Sequence, residues 1–160
     1  MRFVWLSVLL VCVGADCEWQ FGNSCYQLLM ATMKFDEGLQ ACSAMGARVV
    51  VPGSKNENQY IWEMMKNHHL SDGRVWIGCT DEHEEGMWMY ADDPGTKCKI
   101  LSWAQGEPNN QEGDEHCTQM WGSKDGKWVD IECSVTASVI CEYNSTPELT
   151  CLQADADGHF

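Results

Sequence analysis

The sequence predicts an α+β domain, on three observations. Two amphipathic segments with helical periodicity lie in the first half of the chain. Short aromatic and β-branched runs follow, bounded by Gly, Pro or polar residues as strands commonly are. Between these runs lies a charged segment at residues 80–113 that has no sustained periodicity. Helices followed by short strands are typical of an α+β fold, and so long a loop in a compact domain indicates function or cross-linking.

Residues 1–15 are predicted to be a secretory signal peptide. A positive residue precedes an apolar run, and small residues follow where signal peptidase cuts. The run is shorter than the ~20 apolar residues that span a bilayer. We therefore expect a secreted, extracellular chain without a membrane span, with one domain at residues 16–143 and a disordered polar tail at residues 144–160.

Two helices are predicted before the long loop. Residues 33–46 form the first, because apolar side chains recur on one helical face and Gly46 supplies a C-cap. Residues 54–68 form the second, because Ser54 and Glu57 make a capping box in front of another apolar face. The two faces consist of Phe35, Leu39, Cys42 and Met45, and of Ile61, Met64, Met65 and His68.

Short strands are predicted around these helices. A strand pair precedes the first helix, and another short strand separates the two helices. Within the long loop only two segments look extended. The predicted extended segments are residues 16–27, 48–52, 75–79, 87–90, 100–103, 117–121, 127–130 and 135–143, with a turn at residues 122–126.

Charge and cysteine content limit the function classes. The chain has 10 Lys and Arg against 24 Asp and Glu, a net charge of −14. Nucleic acid is excluded as a partner because its phosphates would repel such a chain, whereas clustered carboxylates suit a cation. Nine of the ten cysteines lie after residue 15. In a secreted chain they predict disulfides, and their odd number leaves at least one cysteine free or bonded to another chain.

A series of motifs, in order along residues 16–143, resembles the long form of the C-type lectin-like family. They cover the N-terminal hairpin, a core strand, the sugar-binding tripeptide and the last strands. The resemblance implies the C-type lectin-like fold, with two helices, small antiparallel sheets and a long cross-linked loop. The motifs are Cys17 with Gly22-Asn23-Ser24-Cys25-Tyr26, Trp76-Ile77-Gly78, Glu107-Pro108-Asn109, Glu115-His116-Cys117, Trp128-Val129-Asp130, Cys133 and Cys141-Glu142.

The resemblance also implies three disulfides, Cys17–Cys25, Cys42–Cys141 and Cys117–Cys133. Three cysteines are extra to that pattern. We expect Cys79 and Cys98 to pair at the base of the long loop, which leaves Cys151 available for an interchain bridge in a homodimer. The alternative is a Cys98–Cys151 bond with Cys79 buried and free.

By resemblance, Glu107, Asn109, Glu115 and Asp130 would bind one Ca²⁺ and, with it, a sugar. Calcium takes six to eight oxygen ligands, so vicinal hydroxyls can complete a shell that the protein leaves open. The carboxylates then accept hydrogen bonds from the hydroxyls, and the amides donate to them. Pro108 is expected in the cis form. The Glu-Pro-Asn order resembles the version that prefers mannose, N-acetylglucosamine or fucose, whereas Gln-Pro-Asp prefers galactose.

Two departures from the family pattern weaken this expectation. Val129 stands where the family has an asparagine ligand, which predicts low calcium affinity and weak or multivalent sugar binding. At a second calcium site Asp81 and Glu85 match the family, but Asn110 and His116 replace aspartates. Because histidine is a poor calcium ligand, we expect this site to be weak or empty. Nearby Glu112 and Asp114 are available to compensate.

The sequence therefore predicts a secreted, calcium-dependent lectin for glycans on glycoproteins or microbial surfaces, with a role in innate recognition. The alternative is a calcium-independent module that binds a protein or another surface on the same fold. An enzyme is not expected, because hydrolase and metalloprotease motifs such as G-x-S-x-G and H-E-x-x-H are missing from the sequence. Asn144-Ser145-Thr146 is a predicted N-glycosylation site.

Overall fold

The computed structural model describes residues 10–13, 17–70, 73–144 and 150–153, the first and last of these ranges by their backbone alone. The elements in chain order are β1 (Leu10–Val13), β2 (Trp19–Phe21), β3 (Ser24–Met33), α1 (Phe35–Ala44), β4 (Arg48–Val49), α2 (Lys55–Asn67), β5 (Arg74–Thr80), β6 (Met89–Tyr90), β7 (Asp93–Lys97), β8 (Cys117–Trp121), β9 (Lys127–Ile131), β10 (Ala137–Asn144) and β11 (Thr150–Gln153). Two 3-10 turns lie at Gln111–Gly113 and Gly122–Lys124. The α+β fold class predicted from the sequence is confirmed.

Nine strands form one mixed sheet. Its main path is β2-β3-β10-β5-β6-β7, with β4 paired to β10 and with β8 between β5 and β9. Strands β10 and β5 run parallel, whereas the other pairs are antiparallel. The small antiparallel sheets expected from the sequence are thus joined through one parallel contact.

Strands β1 and β11 form a separate antiparallel pair, in which Leu10 lies opposite Gln153 and Val13 opposite Thr150. These strands fall in the segments predicted to be the signal peptide and the disordered tail. The boundaries of those two segments remain predictions.

Helix α2 has its predicted cap and buries the predicted Ile61, Met64 and Met65, while His68 lies just beyond its end. The Ser54 hydroxyl accepts a hydrogen bond from the Glu57 N–H at 3.1 Å, as expected of a capping box.

Helix α1 is shorter than the predicted segment 33–46, and Met45, predicted on its inner face, follows its last residue and is 43% exposed. Helix α1 packs closely on β10 at Gly38, where there is little room for a side chain. A Cβ atom at this position would lie 2.9 Å from Val139 Cγ2. The buried residues are Phe35, Gly38 and Cys42 in α1 and Asn58, Ile61, Met64 and Met65 in α2.

A buried polar contact connects α2 to the strand that carries Asp130. Asn58 donates a hydrogen bond to the Gly126 carbonyl at 3.0 Å, and its side-chain oxygen accepts one from Trp128 Nε1 at 2.6 Å. Trp128 in turn packs edge-on against Trp103, with ring centroids 6.0 Å apart. These contacts fix β9 against the helix and the long loop.

Four disulfides are present among the cysteines whose side chains are described, and all four predicted pairings are confirmed. Cys42–Cys141 closes the longest loop, with a sequence separation of 99. Cys79–Cys98 closes the base of the long loop, so the alternative pairing of Cys98 with Cys151 is wrong. The side chain of Cys151, and with it the predicted interchain bridge, lies outside the described part of the chain.

The long loop is more ordered than predicted. Residues 93–97 form β7, which the sequence did not predict, whereas residues 100–103 are not a strand and contribute only a bridge from Trp103 to Trp128. The Trp128 N–H donates to the Ser102 carbonyl and the Ala104 N–H to the Trp128 carbonyl, both at 2.8 Å. These bonds bring the Glu-Pro-Asn segment to β9.

Among the described residues, no helix has the length and apolar character needed to cross a membrane.

Candidate functional site

Asp130, near the end of β9, holds the Glu-Pro-Asn segment in place. Its carboxylate has no exposed surface. It accepts hydrogen bonds from the Asn109 N–H, at 3.1 and 3.0 Å from its two oxygens, and from the Asn110 N–H at 2.7 Å. A buried carboxylate therefore binds two successive backbone amides and turns this part of the loop towards β9.

The segment itself presents oxygen and amide groups at the surface. The peptide bond between Glu107 and Pro108 is cis, as predicted. The Asn109 side-chain amide donates a hydrogen bond to Glu107 Oε2. Asn109 is exposed and Glu107 half-buried, so both side chains can reach a ligand from solvent.

Glu115 joins the same loop by a second set of bonds. Its side chain is buried, with 8% exposure, and accepts a hydrogen bond from the Gln111 N–H at 2.8 Å. Its own N–H donates to Asn110 Oδ1 at 3.2 Å. Of the four residues predicted to bind calcium, three are therefore joined directly, and Glu115 is joined to them through Asn110.

The electrostatics of this group favour a cation. Burial, and then the hydrogen-bonded Asp130 carboxyl, raise the pKa of Glu107. Burial also raises the pKa of Glu115, against the hydrogen bond from Gln111, and the negative charge of Asp130 raises it further. Within the described residues, no Lys or Arg nitrogen lies within 4.0 Å of these three carboxylates. A bound cation would relieve their repulsion.

A second cluster lies beside the first. Asp81 follows β5, Glu85 lies in the following loop, and His116 precedes β8. His116 Nδ1 is 3.1 Å from Asp81 Oδ1 and 3.6 Å from Glu85 Oε2. One donor atom from each of the three residues lies within 4.8 Å of the others. The residues predicted for a second metal site therefore do converge.

Hydrogen bonds from outside the second cluster orient its members. The Gly86 N–H donates to Asp81 Oδ2 at 2.8 Å, which leaves Oδ1 facing His116. The His116 carbonyl accepts bonds from Thr80 Oγ1 at 2.7 Å and from the Asp81 N–H at 3.2 Å. The start of β8 is thus fixed to the end of β5.

Asn110 connects the two clusters. Its Nδ2 donates to Glu85 Oε2 at 2.7 Å, while its N–H binds Asp130 and its Oδ1 accepts from the Glu115 N–H. Its φ of 41° lies in the left-handed region that asparagine tolerates. The sequence placed Asn110 at the second site alone; the backbone contact to Asp130 could not be inferred without the loop conformation.

The donor atoms decide which cations fit. Glu107, Asn109, Glu115 and Asp130 offer only oxygens as metal ligands, which suit calcium. Val129, with 5% exposure and opposite Gln119 in β8, offers no side-chain oxygen. The second cluster includes an imidazole nitrogen, so it fits calcium poorly. Glu112 and Asp114, considered as substitutes, are exposed and belong to neither cluster in the described structure.

Two other features do not extend the site. Glu82 lies close to Cys117 and Cys133, but these two cysteines are bonded to each other and have no thiolate to offer a metal. Cavities of about 480 and 580 Å³ lie around Ala47, Arg48 and Asp92. None of the residues predicted to bind calcium or sugar lines either cavity.

Comparison with known proteins gives consistent matches. The family model described as the Lectin C-type domain matches residues 31–143. Hepatic lectin of Gallus gallus is 29% identical over 137 residues, which are 85% of this chain and 63% of that protein. The chain thus spans less than two thirds of that relative's length.

Two solved structures share the fold over most of the chain. The C-type carbohydrate-recognition domain of cow CD23, determined in the presence of a GlcNAc2Man3 oligosaccharide, matches with a TM-score of 0.70 and 26% identity, over 84% of this chain and 99% of that one. A calcium-independent type II antifreeze protein matches with a TM-score of 0.69 and 26% identity, over 85% of this chain and 96% of that one.

Proposed function

The chain belongs to the C-type lectin domain family, and from that premise we propose that it binds glycans through one calcium ion held by Glu107, Asn109, Glu115 and Asp130. The family is one of binding domains and not of enzymes. One observation carries the proposal: buried carboxylates, with no Lys or Arg partner in the described part of the chain, lie beside an exposed Glu-Pro-Asn segment. Such a group is stabilised by a cation and can share it with a ligand from solvent.

Each residue has a distinct part in this proposal. Asp130 holds the loop and supplies carboxylate oxygen, while Glu115 supplies a second, largely buried carboxylate. Glu107 and Asn109, at the surface, accept from and donate to two neighbouring hydroxyl groups of the sugar. Calcium supplies coordination positions that the same hydroxyls complete.

The Glu-Pro-Asn order favours mannose-, N-acetylglucosamine- or fucose-type glycans over galactose. The cow CD23 domain, which was determined with a mannose-containing oligosaccharide, is a structural relative that supports this class. Val129 removes one ligand, so single-site affinity is low and useful binding needs several copies on glycoproteins or microbial surfaces. A Cys151-linked homodimer would supply two copies, and innate recognition is the proposed setting.

The first experiment measures retention of the purified protein on immobilised mannose and galactose, in calcium and in EDTA. We expect retention on mannose in calcium alone. Glu107→Gln combined with Asn109→Asp converts the segment to Gln-Pro-Asp and should move retention to galactose. Glu63→Gln, an exposed carboxylate on α2 far along the chain from the site, is the matched control and should change nothing.

A calcium-independent binding module is the second candidate. Val129 and His116 favour it, since each replaces a calcium ligand of the family pattern. The calcium-independent antifreeze protein is a relative on the same fold. Failure of both sugars to retain the protein, with binding of another surface that survives EDTA, would select this candidate.

Secretion and glycosylation complete the proposal. Four disulfides among the described cysteines are consistent with an extracellular location. Asn144 is exposed at the end of β10, so an attached glycan would point into solvent. A mass shift on treatment with a peptide N-glycosidase, lost in Asn144→Gln, tests this assignment.

A further inference from the structure

We propose that Asp81, Glu85 and His116 form a zinc site beside the calcium site. The inference does not depend on the proposed function, because none of these three residues is assigned to the sugar-binding group. Zinc accepts imidazole nitrogen as well as carboxylate oxygen as ligands, whereas calcium takes oxygen ligands. The histidine at position 116, which weakens this site for calcium, therefore makes the site suited to zinc.

The spacing of the donor atoms suits a small tetrahedral ion. Ligands about 2.0–2.1 Å from zinc in a tetrahedron lie about 3.3 Å from one another. His116 Nδ1 is 3.1 Å from Asp81 Oδ1 and 3.6 Å from Glu85 Oε2, which brackets that value. The atoms can therefore enclose an ion with small rotations of the side chains.

The surroundings orient two of the three ligands by hydrogen bonds. The Gly86 N–H binds the far oxygen of Asp81, whereas Asn110 Nδ2 donates to Glu85 Oε2, the oxygen that faces His116 and that has a second lone pair for a metal. Hydrogen bonds of this kind to metal ligands commonly contribute 10–100-fold in metal affinity. Asp81 is almost fully buried, while 59% of the Glu85 side chain is exposed.

Because Asp81 is buried and Glu85 is exposed, the site is open to solvent on the Glu85 side. His116 is also partly exposed, at 28%, so an ion can enter from the Glu85 side. Three protein ligands leave a fourth tetrahedral position for water or an external donor. The site is thus predicted to bind zinc from solution and to stay accessible.

The test is calorimetric titration of the purified protein with Zn²⁺ and, separately, with Ca²⁺. We expect Zn²⁺ binding that millimolar Ca²⁺ does not displace. His116→Ala should weaken Zn²⁺ binding more than about 100-fold, because removal of a metal ligand costs more affinity than removal of a group that hydrogen-bonds to a ligand. Glu85→Gln, at an exposed position that leaves the core intact, should also weaken it. His83→Ala removes an exposed histidine from the same loop and is the matched control, with no expected change.

Cobalt supplies a second readout, because tetrahedral Co²⁺ absorbs visible light. The absorption should form with the wild-type protein and be lost in His116→Ala. Failure of the wild-type protein to bind Zn²⁺, or unchanged Zn²⁺ affinity in both His116→Ala and Glu85→Gln, would overturn the proposal. Glu107→Gln separates the two proposals, since it should abolish sugar retention and keep zinc binding.

Discussion

Asp130 accepts hydrogen bonds from the Glu-Pro-Asn loop, which makes Asp130→Asn a direct test of the geometry. The aspartate accepts bonds from two backbone amides and has no exposed surface. An asparagine has one acceptor oxygen, so its NH₂ group would face one of those N–H donors. The contact between Oδ1 and the Asn109 N–H is lost, and the bonds that Oδ2 accepts from Asn109 and Asn110 become neutral. The combined cost is about 1.5–3 kcal/mol.

Removal of the charge has a partial opposing effect. The Asp130 carboxylate raises the pKa of both Glu107 and Glu115, so its neutralisation relieves some repulsion. The net expectation in EDTA is a decrease of about 2 kcal/mol in the free energy of unfolding. For a domain of this size that is a fall of roughly 4–8 °C in the melting temperature.

The assay is urea unfolding followed by tryptophan fluorescence, in EDTA and in calcium. Glu107→Gln is the comparison, because its hydrogen bond from Asn109 lies at the surface and glutamine can still accept it. It should change stability by less than about 0.5 kcal/mol. Both variants should lose calcium-dependent retention on mannose. An Asp130→Asn protein as stable in EDTA as the wild type would show that Asp130 does not hold the loop.

Three further outcomes are expected. Val129→Asn should be less stable than Val129→Leu in EDTA, since a polar amide is buried in place of an apolar side chain. It should bind calcium roughly 2–10-fold more tightly than wild type; equal calcium affinities in titrations would contradict this. Replacement of both Cys79 and Cys98 by serine should cost about 3 kcal/mol in urea unfolding, from a bridge with a separation of 19, and a cost below about 1 kcal/mol would not fit this estimate. The raised pKa values of Glu107 and Glu115, ordinarily 4.5, give stability in EDTA that is present below that pH and is lost as the pH rises through the raised values. Calcium should remove this loss, and identical pH profiles of melting temperature with and without calcium would refute it.

Much of the fold follows from local patterns. The capping box at Ser54 and the apolar faces of both helices are readable because they depend on neighbours within a few residues. The disulfide pairings followed from the family resemblance, and the Cys79–Cys98 pairing from its position around the loop. These features can be predicted without knowledge of the tertiary structure.

The parts that the sequence did not predict depend on distant partners. Asn58 looks like a solvent-facing helix residue, yet it is buried because Gly126 and Trp128 supply its partners from another element. Strand β7 at residues 93–97 has little β propensity and is all exposed, and it forms because β6 offers it an edge. Register and loop conformation of this kind come from long-range packing, which overrides local preference.

At the candidate site the sequence predicted which residues would meet but not how. Glu107, Asn109 and Asp130 do lie together, and His116 does lie beside Asp81 and Glu85. What sequence spacing could not show is that Asp130 binds backbone amides, since a side chain's partners depend on where the loop turns.

The hydrogen bonds of Asn110 couple the two clusters thermodynamically. One side chain and its backbone amide bind Glu85 on one side and Asp130 and Glu115 on the other. Any ion that draws Glu85 away from this amide changes the position of Asn110, and therefore the free energy of occupying the neighbouring site. Such coupling is reciprocal by necessity: the factor by which one occupant alters the affinity of the other is the same in both directions. If both proposed sites are occupied, Asn110 makes them one linked binding system, in which the occupancy of either site changes the affinity of the other.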